Sequence, residues 1–179
     1  PDNCTLVGYN AGGSGVMTAN ADGTTAVGMN ALANLTAGTG NTALGYNTLS
    51  GHTTGARNVA IGHGAMDGTG GATVKDSNDN TFMGYDAGGG TWTTAVCQYN
   101  IGIGNYVMDA AMNGANYNVG IGFSSLSALT QGDSNVALGQ EALTSVTSGS
   151  RNIAIGFDAG KAMDTANRNI AIGYEALRT

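Results

Sequence analysis

One five-residue pattern recurs along the whole chain: a polar residue, a β-branched residue, a small residue, a large apolar residue and a glycine. Its plainest copies are NVAIG at 58–62, NVALG at 135–139, and NIAIG at 152–156 and 169–173. Looser copies fill the rest, with final glycines at Gly8, Gly28, Gly45, Gly62, Gly84, Gly104, Gly122, Gly139, Gly156 and Gly173. Successive glycines are 17 to 22 residues apart, and the commonest step is 17. A fixed period of that size marks a repeat architecture in which each unit buries its apolar face only by stacking on the next. Apolar residues alternating across three positions predict a short strand. The expected fold is a parallel β-solenoid, or β-roll, of ten rungs of about 17 residues, forming one domain over residues 1–179.

Each column of the repeat carries its own expectation. Four residues before the glycine stands Asn41, Asn58, Asn80, Asn100, Asn118, Asn135, Asn152 or Asn169, with Cys4 and Thr24 in the other two rungs. Identical amides one rung apart can bond each other and the backbone of a tight corner, which predicts an asparagine ladder. The large residues before the glycine (Ile61, Ile103 and Ile155 among them) predict a core column. Between the apolar columns lie Ala26, Ala43, Ala60, Gly102, Gly120, Ala137, Ala154 and Ala171. Small residues there, in place of Thr or Lys, predict a strand covered on its second face too, with this column as the assembly face toward another chain. A bare alanine face is the other reading. After the glycine, an aromatic is followed by a small residue and then Leu or Met, often with a second apolar residue three further on. That spacing predicts a short helical turn, with a second, bent strand as the alternative.

The phrases NTALGYNTLSGHTTGARNVAIGHGAM and NVALGQEALTSVTSGSRNIAIGFDAG resemble the head repeats of YadA-like trimeric autotransporter adhesins and the repeat regions of phage tail fibres. The resemblance spans nearly the whole chain. It implies a left-handed parallel β-roll, three chains side by side, and attachment as the role.

Composition narrows the function. Charged residues are only 10% of the chain, against about 25% in an average globular protein. The surface is therefore Asn, Thr, Ser and Gly, or is covered by other chains. A net charge of −6 argues against nucleic acid as a partner. No apolar run approaches the roughly 20 residues of a membrane-spanning helix. His52 and His63 fall in different rungs with no metal-ligand spacing, and carboxylates are spread thinly, so neither an enzyme nor a cofactor is expected.

The irregular rungs hold the remaining candidates. In loop 67–79, Asp76, Asn78 and Asn80 alternate like the start of a calcium loop, without its glycine and distant glutamate; a solvated turn is the plainer reading. In loop 88–99, Trp92 and Tyr99 offer either a sugar-stacking surface or a plug for a long rung. Cys4 and Cys97 lie five strand steps apart, roughly 24 Å, beyond the reach of an intrachain disulfide. They are either an intermolecular pair or two separate buried thiols. Glu141, Asp158 and Glu175 repeat at one position in successive rungs, as do Arg151 and Arg168. The stacked acids call for cations across a chain boundary, unless they form a weakly coupled solvated surface. The expectation is an extracellular structural fibre subunit that assembles with itself, as a trimer or a head-to-tail filament. The alternative is an adhesin or tail-fibre module binding a surface glycan or protein through 67–79 and 88–99.

Overall fold

The computed structural model describes residues 1–13, 17–70 and 77–178. Ten three-residue strands stack in sequence order into one parallel sheet: β1 (Thr5–Val7), β2 (Thr25–Val27), β3 (Thr42–Leu44), β4 (Val59–Ile61), β5 (Thr81–Met83), β6 (Ile101–Ile103), β7 (Val119–Ile121), β8 (Val136–Leu138), β9 (Ile153–Ile155) and β10 (Ile170–Ile172). Pairing is in register column by column, as in Ile101↔Val119, Gly102↔Gly120 and Ile103↔Ile121. The chain is a β-solenoid, one strand per rung. Among the described residues the single helical element is a 3-10 turn at Ala19–Ala21.

Among the described residues the return path holds no second strand and, apart from the 3-10 turn at Ala19–Ala21, no helical turn. It is a run of tight turns, with left-handed residues at fixed places. In the third rung these are Asn47 (φ 54°) and Leu49 (φ 51°), followed by Arg57 (φ 57°) ahead of the next strand. A left-handed residue costs about 1–2 kcal/mol unless it is glycine. The conformation is retained because it turns each N–H along the stacking axis. Asn47 N donates to Met29 O at 2.9 Å, Leu49 N to Ala65 O at 3.0 Å and Arg57 N to Thr39 O at 2.9 Å. The turns therefore hydrogen-bond rung to rung as the strands do. The glycine closing each strand is held by a related constraint. Gly62 has φ +131°, and a Cβ there would lie 2.2 Å from the Gly84 carbonyl oxygen of the next rung.

The interior reverses the expected roles of two columns. The small residues Ala26, Ala43, Ala60, Ala137 and Ala154 are fully buried inside the coil. The large residues on either side of them point outward. Opposite the small column stand Leu32, Leu49, Met66, Met108, Leu126 and Leu143, brought inward by the left-handed turns and fully buried. The coil is thin, so one small and one large residue fill its width at each rung. A large residue on the strand would collide with the leucine wall.

Two rungs exchange the pair and keep the volume constant; in a third, Gly160 faces Ala154 and the Met163 side chain fills the space, its Cε 2.5 Å from where a Gly160 Cβ would lie. In β5 the inner position is Phe82, and the leucine position of that rung is Gly88, where a Cβ would lie 2.9 Å from the phenyl Cδ1. The rung above answers with Gly102, where a Cβ would lie 2.4 Å from the same atom. Leu6 and Gly12 repeat the exchange in the first rung, at 2.9 Å. Interiors packed to crystal density tolerate such volume-conserving swaps and little else. Phe82→Ala should therefore cost about 3–5 kcal/mol. Adding Gly88→Leu, which restores the regular pair, should recover a large part of that loss. Denaturant unfolding of the two single variants and the double variant checks this. Additive losses would contradict it.

Candidate functional site

Two features of the rung carry the arrangement of the surface: the asparagine column and the outward face of the strands. Each ladder amide ties three rungs together. Asn58 Nδ2 donates to Asn41 Oδ1 of the rung before (3.2 Å) and to Ser77 O of the corner after it (2.9 Å). Its backbone N–H also donates to Asn41 Oδ1, at 3.0 Å. The same three bonds recur at Asn118, toward Asn100 Oδ1 and Gly132 O, and at Asn135, toward Asn118 Oδ1 and Gly149 O. The column runs unbroken from Asn41 to Asn169, and its members from Asn41 to Asn152 are fully buried. Thr24 continues the column below Asn41, and its Oγ1 is buried without a hydrogen-bond partner.

The outward strand face is uncharged and largely apolar, with Thr5, Thr25, Thr42 and Thr81 as its polar members. Leu44 (46% exposed), Ile103 (38%), Ile121 (39%) and Ile155 (37%) project from one column, and Ile101 (40%) and Ile153 (37%) from the other. The column just past the glycine adds exposed rings. Tyr46 stacks on His63 at 4.9 Å, and His63 on Tyr85 at 5.0 Å. Tyr106 meets Tyr85 edge-on at 5.4 Å and Phe123 at 5.8 Å. No charged residue occupies the two strand columns. The column expected to be the assembly face is interior instead: Ala26, Ala43, Ala60, Gly102, Gly120, Ala137, Ala154 and Ala171 are buried, while their strand neighbours are half-buried or exposed.

Several other sequence expectations also change. Trp92 is 1% exposed and packs edge-on against Phe82 at 5.9 Å, so it offers no surface to a sugar. Tyr99 is exposed but stacks on Tyr117 at 5.0 Å. Cys97 is fully buried; its Sγ accepts from Gly114 N at 3.3 Å, and burial pushes its pKa up. That excludes an intermolecular bond to Cys4, whose half-buried thiol donates to Ala21 O at 3.4 Å. Asp76 lies outside the described residues. Asn78 Oδ1 accepts from Ala56 N at 2.6 Å, and Asn80 belongs to the ladder, so neither oxygen is directed at an ion. His52 is buried, with Nδ1 3.1 Å from Thr69 Oγ1.

The stacked acids are balanced within their own chain, not across a boundary. Lys161 bridges Glu141 and Asp158, and Arg178 joins Glu175 at 2.8 Å and Asp158 at 3.6 Å. The hydrogen bond from Lys161 lowers the Glu141 pKa, and that from Arg178 lowers the Glu175 pKa. Arg57 pairs with Asp79 through two bonds of 2.7 and 2.8 Å, and the bond lowers the Asp79 pKa. Sequence reading missed a recess of about 240 Å³ lined by Asp67, Asp86, Gly89, Gly90, Tyr106 and Asp109. Burial first, and the nearby Asp86 charge second, raise the Asp67 pKa; burial also raises that of Asp109. The three aspartates come from three successive rungs: Asp67 and Asp109 stand five residues past their strand glycines and Asp86 two past its own, so they do not form one column.

The ladder generates a direct test. Asn118→Ala removes the acceptor of two bonds from Asn135 and the donor to Gly132 O and Asn100 Oδ1, all within the interior. Each buried group left unsatisfied costs about 1–3 kcal/mol, so a loss of at least ~3 kcal/mol is expected. Thermal unfolding followed by circular dichroism measures it. A loss below ~1 kcal/mol would show that the ladder is dispensable.

No protein-family model, no curated protein and no solved structure matches this chain.

Proposed function

We propose that this chain is a structural subunit of an extracellular fibre, a rod that associates with copies of itself and performs no catalysis. The observation that carries the reading is the uncharged outward strand face, whose column of Val, Leu, Ile or Met before the glycine runs along all ten rungs. Nine steps of about 4.8 Å make it roughly 43 Å long. Three strand residues at about 3.3 Å each make it roughly 10 Å wide, or about 430 Å² per copy and about 860 Å² for a pair, the size of a weak interface that the flanking ring column would enlarge. Exposed apolar patches of that size on soluble chains mark interaction surfaces.

Two further features support the reading. The low charge suits a surface that is covered rather than solvated. Each rung also presents its neighbour with the same donors and acceptors, so rung stacking between subunits would use bonds already present within one. The alternative reading, an adhesin or tail-fibre module binding a glycan or protein through 67–79 and 88–99, draws less support. Trp92, its principal contact residue, is buried.

Placing a charge on the face separates assembly from folding. Ile103→Lys combined with Ile121→Lys should leave the far-ultraviolet circular dichroism of the rod unchanged, because both side chains are already more than a third exposed. Wild type should form oligomers or filaments in analytical ultracentrifugation and negative-stain electron microscopy, and the double variant should sediment as a monomer. A wild-type chain that stays monomeric across the concentration series would overturn the proposal.

A further inference from the structure

We infer that Tyr99 and Tyr117 form a site for oxidative cross-linking, where a one-electron oxidant joins two rungs through a dityrosine bond. The two residues occupy the same position in successive rungs, each just before its ladder asparagine, Asn100 and Asn118. Their rings lie parallel, 11° apart in plane, with centroids separated by 5.0 Å. Both are open to solvent, Tyr99 at 46% and Tyr117 at 59%.

Their backbones are held on both sides. Tyr99 N donates to Asn78 O at 3.4 Å and Tyr117 N to Gln98 O at 3.1 Å. The following asparagines are locked by the bonds from Asn118 N and Nδ2 to Asn100 Oδ1, at 3.0 and 3.1 Å. The side chains alone are free to turn. Among the described residues the other tyrosine pair in ring contact, Tyr85 and Tyr106, is crossed at 69°, with the edge of one ring on the face of the other. Among the described residues only this pair sets two phenol rings face to face in successive rungs.

The chemistry balances with an external oxidant of the peroxidase–hydrogen peroxide class. Each phenol gives up one electron and one proton, leaving two tyrosyl radicals. A carbon–carbon bond forms between the ring carbons next to the hydroxyls. The hydrogens on those carbons move to the phenolic oxygens as the rings regain aromaticity. The net change is the loss of two electrons and two protons from the pair. Holding the partners one rung apart makes the coupling intramolecular, so it outruns coupling between chains in dilute solution. The link would act as a staple across the two rungs. Cys97 cannot serve that purpose, because its thiol is buried.

The test uses the purified chain at low concentration with a peroxidase and hydrogen peroxide. Dityrosine fluorescence should appear in a band that runs as a monomer on a denaturing gel. Asp109 lies between the two tyrosines, so cleavage at aspartate separates them unless they are joined. Mass spectrometry of that digest should find one linked peptide pair, Tyr99 to Tyr117, lighter by two hydrogens. Tyr99→Phe and Tyr117→Phe should each lose most of the fluorescence, while Tyr85→Phe should keep it. Since these side chains are exposed, all three variants should match wild type in circular dichroism. Absent fluorescence, a signal that survives Tyr99→Phe, or linkage found mainly between chains would overturn the inference.

Discussion

A side-chain amide buried in a narrow coil is tolerated only if its oxygen and nitrogen both find partners. Here the partners are supplied by the adjoining rungs. The oxygen of each ladder asparagine takes two bonds from the next, and its nitrogen bonds the oxygen of the one before and a corner carbonyl. The requirement is mutual, so a shift of one rung by a single residue would leave several buried groups unsatisfied at once. That fixes the register of the strands. The flat column of glycines, the left-handed turns and the alternation of inward and outward side chains then follow from the same stacking.

Register in turn sets what the surface can be. With three residues per strand, fixing which one points inward fixes the other two. The inward residue faces a leucine from the turn across a space that holds only one large side chain. The strand must therefore turn its small residue in and its two larger ones out. An apolar outer face is a by-product of a thin interior as much as a feature of its own. The proposed self-association uses a surface that the packing already requires.

The repeat, the strand positions, the parallel order and the asparagine column were all legible in the sequence, because each is a period or a column of one residue type. The orientation of the strand was not. Assigning Ile103 and Ile155 to the core follows from the preference of large apolar residues for burial, which is a tendency and not a geometric rule. The paired exceptions carry the corrective signal: Phe82 with Gly88, and Leu6 with Gly12, show that the small column and the leucine column share one space. The left-handed turns were hidden for a related reason. Leucine disfavours positive φ, yet glycine stands in the leucine column at Gly12, Gly88 and Gly160, and Asn, Asp and Gly crowd the position two residues past the strand glycine. The acidic recess had a fainter mark: Asp67 and Asp109 share one column, five residues past the strand glycine, while Asp86 of the rung between them stands only two past its own.

Hydrogen exchange of the asparagine side-chain amides, read by NMR on isotope-labelled protein, tests the ladder most directly. If the column fixes the register, the Nδ2 protons of Asn58 to Asn152 should exchange as slowly as the backbone amides of β4 to β9. Those of exposed Asn105, whose amide oxygen accepts from Tyr85 N, should exchange within the dead time. Ladder protons that exchange as fast as those of Asn105 would contradict it.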